Sequence, residues 1–165
     1  MDTRKQVARF LAKYSPTVAK QTQAVREHLA VHFPRGYELV YDNYNALACG
    51  FSPTPQASGA LVSVAAYPKW VTLFFLHGAG LPDPQRILEG SGSRVRSVRL
   101  LPPERLHEPA VQELLRLVAD LHAAAFAAAP PLSTMVKSVS AKQRPRRPAG
   151  DGAVAKKRRI PRLGD

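Results

Sequence analysis

Apolar residues recur every three to four positions through the first 33 residues of the chain, which is the period of a helix face. Two such stripes are present, made up of Val7, Phe10, Leu11 and Tyr14 in the first and of Val18, Val25, Leu29 and Phe33 in the second. Ser15 and Pro16 separate the stripes, because serine caps the start of a helix and proline is favoured in its first turn. The pattern therefore predicts two helices, over residues 3–14 and 16–33.

From residue 37 onward the apolar runs become shorter, as is typical of strands. The strongest runs, residues 60–67 and 70–76, are joined by Pro68 and Lys69, a connection short enough for a tight antiparallel turn. Weaker strand candidates lie at residues 37–42, 46–51 and 94–100. The two strong runs are apolar on both faces, which indicates either covering helices or a face buried in an oligomer.

The last periodic segment is a helix that begins at Glu108 and Pro109 and ends before Pro130 and Pro131. Asp83 and Pro84, with Gly90 after them, also predict a short helix over residues 84–89. These elements predict an α+β fold in which an antiparallel sheet of about four to five strands packs against N-terminal and C-terminal helices. Beyond residue 131 the composition favours Ser, Pro, Gly, Lys and Arg, which predicts disorder. We therefore expect a folded domain at residues 1–130 and a disordered basic tail at residues 131–165.

The net charge of +12 is concentrated at the two ends of the chain. Residues 130–165 carry ten Lys or Arg against two Asp, whereas residues 37–129 carry seven Lys or Arg against eight Asp or Glu. Basic side chains that neutralise phosphates release counterions, so the tail predicts non-specific contact with nucleic acid. The residues assigned to that contact are Arg144, Arg146, Arg147, Lys156, Lys157, Arg158 and Arg159. No aromatic residue lies among them to stack on bases.

Cysteine content and hydropathy bear on the compartment. The single cysteine, Cys49, has no partner for an internal disulfide, which favours a reducing environment. The N-terminal residues have no apolar core of a signal peptide, and no apolar run is long enough to span a bilayer. We therefore expect a cytoplasmic protein that does not enter the membrane.

Two stretches resemble a known family. They are YDNYNALACGFSP at residues 41–53 and AAYPKWVTLFFLHGAGLPDPQRILEGSGSRVRSVRL at residues 65–100. Together they resemble the DUF1801 or YdhG-like family of small bacterial proteins, and the resemblance covers about residues 20–125. It implies an α+β fold similar to the frataxin-like arrangement. It implies little about activity, although one branch of the family is associated with a frataxin-like iron-chaperone role.

A candidate ligand site lies around His77, because it ends a strand beside a Gly-rich loop, where ligand groups often collect. The residues predicted to form this site are Asn43, Tyr44, Tyr67, His77, Arg94 and Arg96. The alternative interpretation is that the Tyr and Asn side chains satisfy backbone groups in turns while the arginines form surface ion pairs. The leading hypothesis is a small non-enzymatic module that binds a ligand or a protein.

Metal binding and catalysis have weaker signals. An iron-chaperone role requires clustered carboxylates, but the first two helices carry only Asp2 and Glu27 against seven basic residues. His28 and His32 have the i, i+4 spacing of metal ligands but no evident third ligand, and Cys49 has no evident general base. We predict no catalytic residue, no metal site and no cofactor. Nucleic-acid association through the tail is the second hypothesis for function, and iron delivery is the third. The partner and the oligomeric state stay open.

Overall fold

A computed structural model describes residues 2–149 of the chain. Within that range, four α-helices span Thr3–Ala12 (α1), Pro16–His32 (α2), Pro109–Leu121 (α3) and Ala123–Ala127 (α4). Six strands span Tyr37–Asp42 (β1), Leu47–Ser52 (β2), Val62–Ala66 (β3), Val71–Phe75 (β4), Arg96–Arg99 (β5) and Ser133–Val139 (β6). None of the described helices is long and apolar enough to cross a membrane.

The six strands form one mixed sheet in the order β5-β4-β3-β2-β1-β6. Neighbouring strands are antiparallel from β5 to β1, and β6 pairs with β1 in parallel. The predicted α+β class is confirmed. The predicted antiparallel sheet of four to five strands is wrong in the number of strands and in the direction of the last one. The sequence pattern does not indicate β6, because it is an edge strand with Ser and Lys at exposed positions and only two half-buried apolar residues, Met135 and Val136.

The prediction of disorder from residue 131 onward is wrong for residues 131–149. This segment contains β6 and continues as residues 140–149, here called the C-terminal strap. The strap is hydrogen-bonded to the turn that follows β1, through Ser140 N to Asp42 O (2.9 Å) and Arg144 N to Tyr44 O (2.8 Å). Residues 150–165 lie outside the described residues.

The hydrophobic core lies between the helices and one face of the sheet. A fully buried row crosses five strands at paired positions, formed by Val40, Cys49, Val64, Leu73 and Val98. These side chains belong to the same buried cluster as Val25 and Leu29 of α2. The helices therefore account for the burial of this face.

The short helix predicted at residues 84–89 is absent. The Asp83 carboxylate does cap the local backbone, but it accepts hydrogen bonds from Ile87 N and Leu88 N at 2.9 Å each and closes a turn instead. Arg86 lies within that turn at a φ of 55°, a left-handed conformation that an α-helix does not contain. An Asp carboxylate can accept hydrogen bonds from backbone N–H groups either at the start of a helix or in a turn. Here it does so in a turn.

A buried ion-pair cluster holds the strap against the sheet. The Asp42 side chain is fully buried, and its two oxygens contact Lys13 Nζ of the segment after α1 at 2.6 Å and Arg146 Nη2 of the strap at 2.9 Å. Arg146 is itself only 5% exposed and also donates to the backbone oxygens of Asn43 and Tyr44. Because a buried charge is costly when unpaired, the buried Asp42 and Arg146 require each other, whereas Lys13 is partly exposed and adds a second cation to the carboxylate.

Replacement of Asp42 tests the cluster. Asp42→Asn keeps the shape of the side chain but leaves the buried Arg146 guanidinium without a counter-charge, so we expect the free energy of unfolding to fall by about 3 kcal/mol or more. Glu113→Gln is the matched control, because Glu113 pairs with Arg116 on the surface, where the loss should stay below about 0.5 kcal/mol. Urea unfolding followed by circular dichroism measures both. A loss for Asp42→Asn equal to that of the control would contradict this role.

The same cluster predicts a dependence of stability on pH. Burial alone would raise the pKa of the Asp42 carboxyl, but the hydrogen bonds from Lys13 and Arg146 outweigh burial and hold that pKa below its ordinary value of 3.8. A carboxyl with a lowered folded-state pKa stabilises the fold above about pH 4, and this contribution is lost as the pH falls through the folded-state pKa. We therefore expect the stability difference between the wild type and Asp42→Asn to shrink below about pH 4 in urea titrations. A difference that stays constant down to acid pH would rule out an ionised Asp42.

Candidate functional site: a basic and aromatic cleft

Three segments that are distant in the sequence meet at one end of the sheet. The β1–β2 turn and the β3–β4 turn lie at this end because the strands between them alternate in direction. Since β6 runs parallel to β1, the strap that follows β6 emerges at the same end. Tyr14 ties α1 to it as well, because its hydroxyl donates to Ala66 O (2.8 Å) and accepts from Leu47 N (3.0 Å).

A cleft of about 650 Å³ opens between the β3–β4 turn and the strap. We call it the basic and aromatic cleft; its lining residues are Asn45, Tyr67, Pro68, Lys69, Trp70, Arg144, Pro145, Arg147, Pro148 and Ala149. This volume is within the range of sites that hold organic ligands. The lining contains two aromatic rings and three cationic side chains, and it contains no carboxylate.

The aromatic rings of this end are flanked by arginines. The Arg99 guanidinium carbon lies 3.8 Å from the centroid of the Trp70 ring, and the Arg144 guanidinium carbon lies 5.8 Å from the centroid of Tyr44. Both distances allow a cation–π interaction. Tyr67 and Trp70 are themselves neighbours, with ring centroids 6.4 Å apart.

The cleft is electropositive because its lining contains three cationic side chains and no carboxylate. Asp42 is buried behind the cleft and paired with Lys13 and Arg146. Lys69, Arg144 and Arg147 are exposed, and none of them forms a salt bridge with another residue of the described range 2–149. An anionic ligand would therefore meet cations that are not already occupied by the described carboxylates.

The six residues predicted as a ligand site separate into two groups. Asn43, Tyr44 and Tyr67 lie at the cleft end of the sheet, and Tyr44 is 42% exposed beside Arg144. His77 follows the far end of β4, a strand of five residues that spans about 17 Å. The structure therefore does not place the six side chains around one pocket.

The second group consists of His77, Arg94 and Arg96, and these residues do not surround a large cavity. His77 is exposed and lines a cleft of only about 130 Å³ together with His122. Arg96 donates to the backbone oxygens of Gly92 (2.6 Å) and Val95 (2.8 Å), so its guanidinium closes a loop. Arg94 is exposed, and its backbone oxygen accepts from Ala79 N. Neither arginine forms a salt bridge within residues 2–149, so the surface ion pairs of the alternative interpretation are not found there, and Arg96 instead satisfies backbone oxygens of a turn.

The residues predicted to contact nucleic acid differ in exposure, and four of them lie outside the described residues. Arg144 and Arg147 are exposed and line the cleft. Arg146 is buried and bound to Asp42, so its assignment to nucleic-acid contact is corrected, because its guanidinium has no access to a phosphate. Lys156, Lys157, Arg158 and Arg159 lie outside the described residues.

Sequence reasoning missed Lys69, Trp70 and Arg99 as site residues. Their signal was present in the run Tyr67-Pro68-Lys69-Trp70, where a tight turn carries two aromatic side chains and one cation. The local pattern assigns Pro68 and Lys69 only to the connection between strands and Trp70 only to the strand that follows, whereas Tyr67 is among the predicted ligand-site residues. Its proximity to Arg144 and Arg147 depends on the parallel pairing of β6, which no local pattern indicates.

The metal and thiol candidates have structural explanations. His28 and His32 both contact Gln112 Oε1 through Nε2, at 2.9 and 3.2 Å, and burial lowers the pKa of His28. Across residues 2–149, no group of three or more His, Cys, Asp or Glu side chains is arranged to hold a metal ion. Cys49 is fully buried in the central row of the sheet, and this burial raises the pKa of its thiol.

No family model, curated protein or solved structure matches the chain. What bears on function is therefore the pattern of the sequence and the geometry of the described residues. The basic and aromatic cleft combines three cationic side chains with two half-buried aromatic rings.

The burial of Cys49 predicts an unreactive thiol. Because the thiolate is the reactive form and burial disfavours it, we expect Ellman's reagent to leave Cys49 unmodified in native buffer. The same sample in strong denaturant should give one thiol per chain, which serves as the control. Native modification at the rate of a free thiol would contradict the burial of this side chain.

Proposed function

We propose that this protein associates with nucleic acid through the basic and aromatic cleft and the basic residues that follow it in the chain. The observation that carries the proposal is the convergence of Lys69, Arg144 and Arg147 on the rings of Tyr67 and Trp70. Phosphates and flat bases are the two chemical groups that such a surface recognises together.

The chain that leaves the cleft supports the same ligand class. Ala149 is the last described residue and lines the cleft, and the next 16 residues contain five Lys or Arg against two Asp. A polyanion that occupies the cleft therefore has further cations within reach along the same chain. A small uncharged ligand would leave these cations unused.

The other hypotheses have less support. The cleft beside His77 has about 130 Å³, below the size at which ligand pockets usually begin, about 300 Å³. Membership of the YdhG-like family and an iron-chaperone role stay predictions that rest on the motifs at residues 41–53 and 65–100. The cytoplasmic location also stays a prediction, and it is supported by the single buried thiol of Cys49.

Removal of the three cleft cations tests the proposal. We expect the variant Lys69→Ala, Arg144→Ala, Arg147→Ala to bind a labelled oligonucleotide on the order of tenfold more weakly than the wild type in low salt. The slope of log affinity against log salt should also fall by about 2, because each lost phosphate contact removes roughly 0.7 on a single strand. Fluorescence anisotropy between about 50 and 200 mM KCl measures both quantities.

The matched control removes the same charge elsewhere. Lys5→Ala, Lys20→Ala, Arg35→Ala takes three exposed cations from other surfaces and lowers the net charge equally. If it weakens binding as much as the cleft variant, the interaction follows net charge and not the cleft. Absence of binding by the wild type at low salt would overturn the proposal.

Truncation separates the contribution of the last residues. A chain that ends at Ala149 keeps β6 and the Arg146–Asp42 pair, so we expect it to fold and to bind with reduced but measurable affinity. A chain that ends at residue 131 lacks both and is not a valid test of the tail. Unchanged binding after truncation at Ala149 would show that residues 150–165 contribute nothing.

A further inference from the structure

Trp70 is the single tryptophan of the chain, and it lines two clefts at once. One is the basic and aromatic cleft, and the other is a smaller cleft of about 260 Å³. The smaller cleft also includes Arg99 and one carboxylate, that of Glu89, so the cations favourable to phosphates lie on the side of the basic and aromatic cleft. The Arg99 guanidinium covers one face of the indole at 3.8 Å. The cation holds the indole in place, and the indole also lines the basic and aromatic cleft, where a second flat group can stack on it.

The position of Trp70 is set by the turn that carries it. Tyr67 N donates to Trp70 O at 2.9 Å, and only Pro68 and Lys69 lie between the two aromatic residues. Proline restricts the backbone of this turn further. The two rings are tilted by 40°, so they form a wedge and do not stack fully on each other. The entropic cost of ordering this turn when a planar ligand binds is therefore small.

The cations surround this wedge on the cleft side. Lys69 follows Tyr67 by two positions, and Arg144 and Arg147 line the opposite wall of the same cleft. This arrangement suits a chain whose flat groups alternate with phosphates. In a duplex the faces of the bases are already stacked, so only an unpaired base offers a face to Trp70.

We propose that Trp70, backed by Arg99, stacks on an unpaired base, so that the cleft selects single-stranded over double-stranded nucleic acid. The inference rests on the proposed function, since it specifies which form of nucleic acid the cleft accepts. Phosphate contacts by Lys69, Arg144 and Arg147 supply affinity for either form. Base stacking on Trp70 supplies the discrimination between the two forms.

The intrinsic fluorescence of Trp70 tests the stacking directly. The full chain is titrated with an oligothymidine of about 12 nucleotides and with a duplex of the same length. We expect the single strand to quench Trp70 emission, with the same apparent Kd as anisotropy of the labelled strand gives. At equal salt the single strand should bind on the order of tenfold more tightly than the duplex.

Two substitutions separate stacking from folding. Trp70→Leu should weaken single-strand binding on the order of tenfold and leave duplex binding unchanged, whereas Trp70→Phe should retain most of the single-strand affinity. Tyr37→Leu is the control, because Tyr37 is a half-buried aromatic residue at the opposite end of the sheet. Circular dichroism of each variant verifies folding, and the quenching of the wild type does not depend on any variant.

The outcomes distinguish this inference from the function on which it rests. Equal, salt-dependent binding of both forms without a change in Trp70 emission would overturn stacking and leave nucleic-acid association intact. Unchanged single-strand affinity in Trp70→Leu would also overturn stacking. No binding of either form at low salt would overturn both proposals.

Discussion

The buried carboxylate of Asp42 is the interaction on which the rest of this end of the molecule depends. It lies in the last position of β1 and holds Lys13 and Arg146, which come from segments more than 100 residues apart in the chain. The Asp42 carboxylate and the Arg146 guanidinium are both buried, and burying these two charges is tolerated only while they remain paired. The pairing therefore fixes where the strap lies, and with it the positions of Arg144 and Arg147 on either side of Arg146.

The parallel direction of β6 makes the strap held by this pairing one wall of the cleft. An antiparallel β6 would send the chain that follows it to the His77 end of the sheet. The parallel direction brings the strap to the β3–β4 turn, where Tyr67 and Trp70 lie. The aromatic β3–β4 turn and the basic strap thereby form one cleft, which neither segment forms alone. Asp42 neutralises Arg146, which is buried. Arg144 and Arg147 remain exposed and line the cleft with the two rings.

Local patterns in the sequence predicted much of the fold and part of the cleft. The two N-terminal helices and the pair of strands joined by Pro68 and Lys69 follow from periodicity and turn chemistry. The last predicted helix is found as two helices, α3 and α4, divided at His122. β6 could not be recognised, because an edge strand needs no apolar face of its own and its partner lies about 95 residues away. Arg146 could not be distinguished from Arg144 and Arg147, since its burial depends on Asp42, a contact that spans 104 residues. The cleft could not be predicted from local patterns, because it depends on the pairing of β6 with β1 and on the contact between Arg146 and Asp42.

We propose that the β3–β4 turn and the strap form a single binding site, and an amide chemical-shift titration of the labelled full chain with single-stranded oligothymidine tests this. We expect the amides of Tyr67, Lys69 and Trp70 to shift together with those of Arg144 and Arg147, along one binding curve with one Kd. Shifts confined to residues 150–165, or centred on His77 with the turn unchanged, would contradict it.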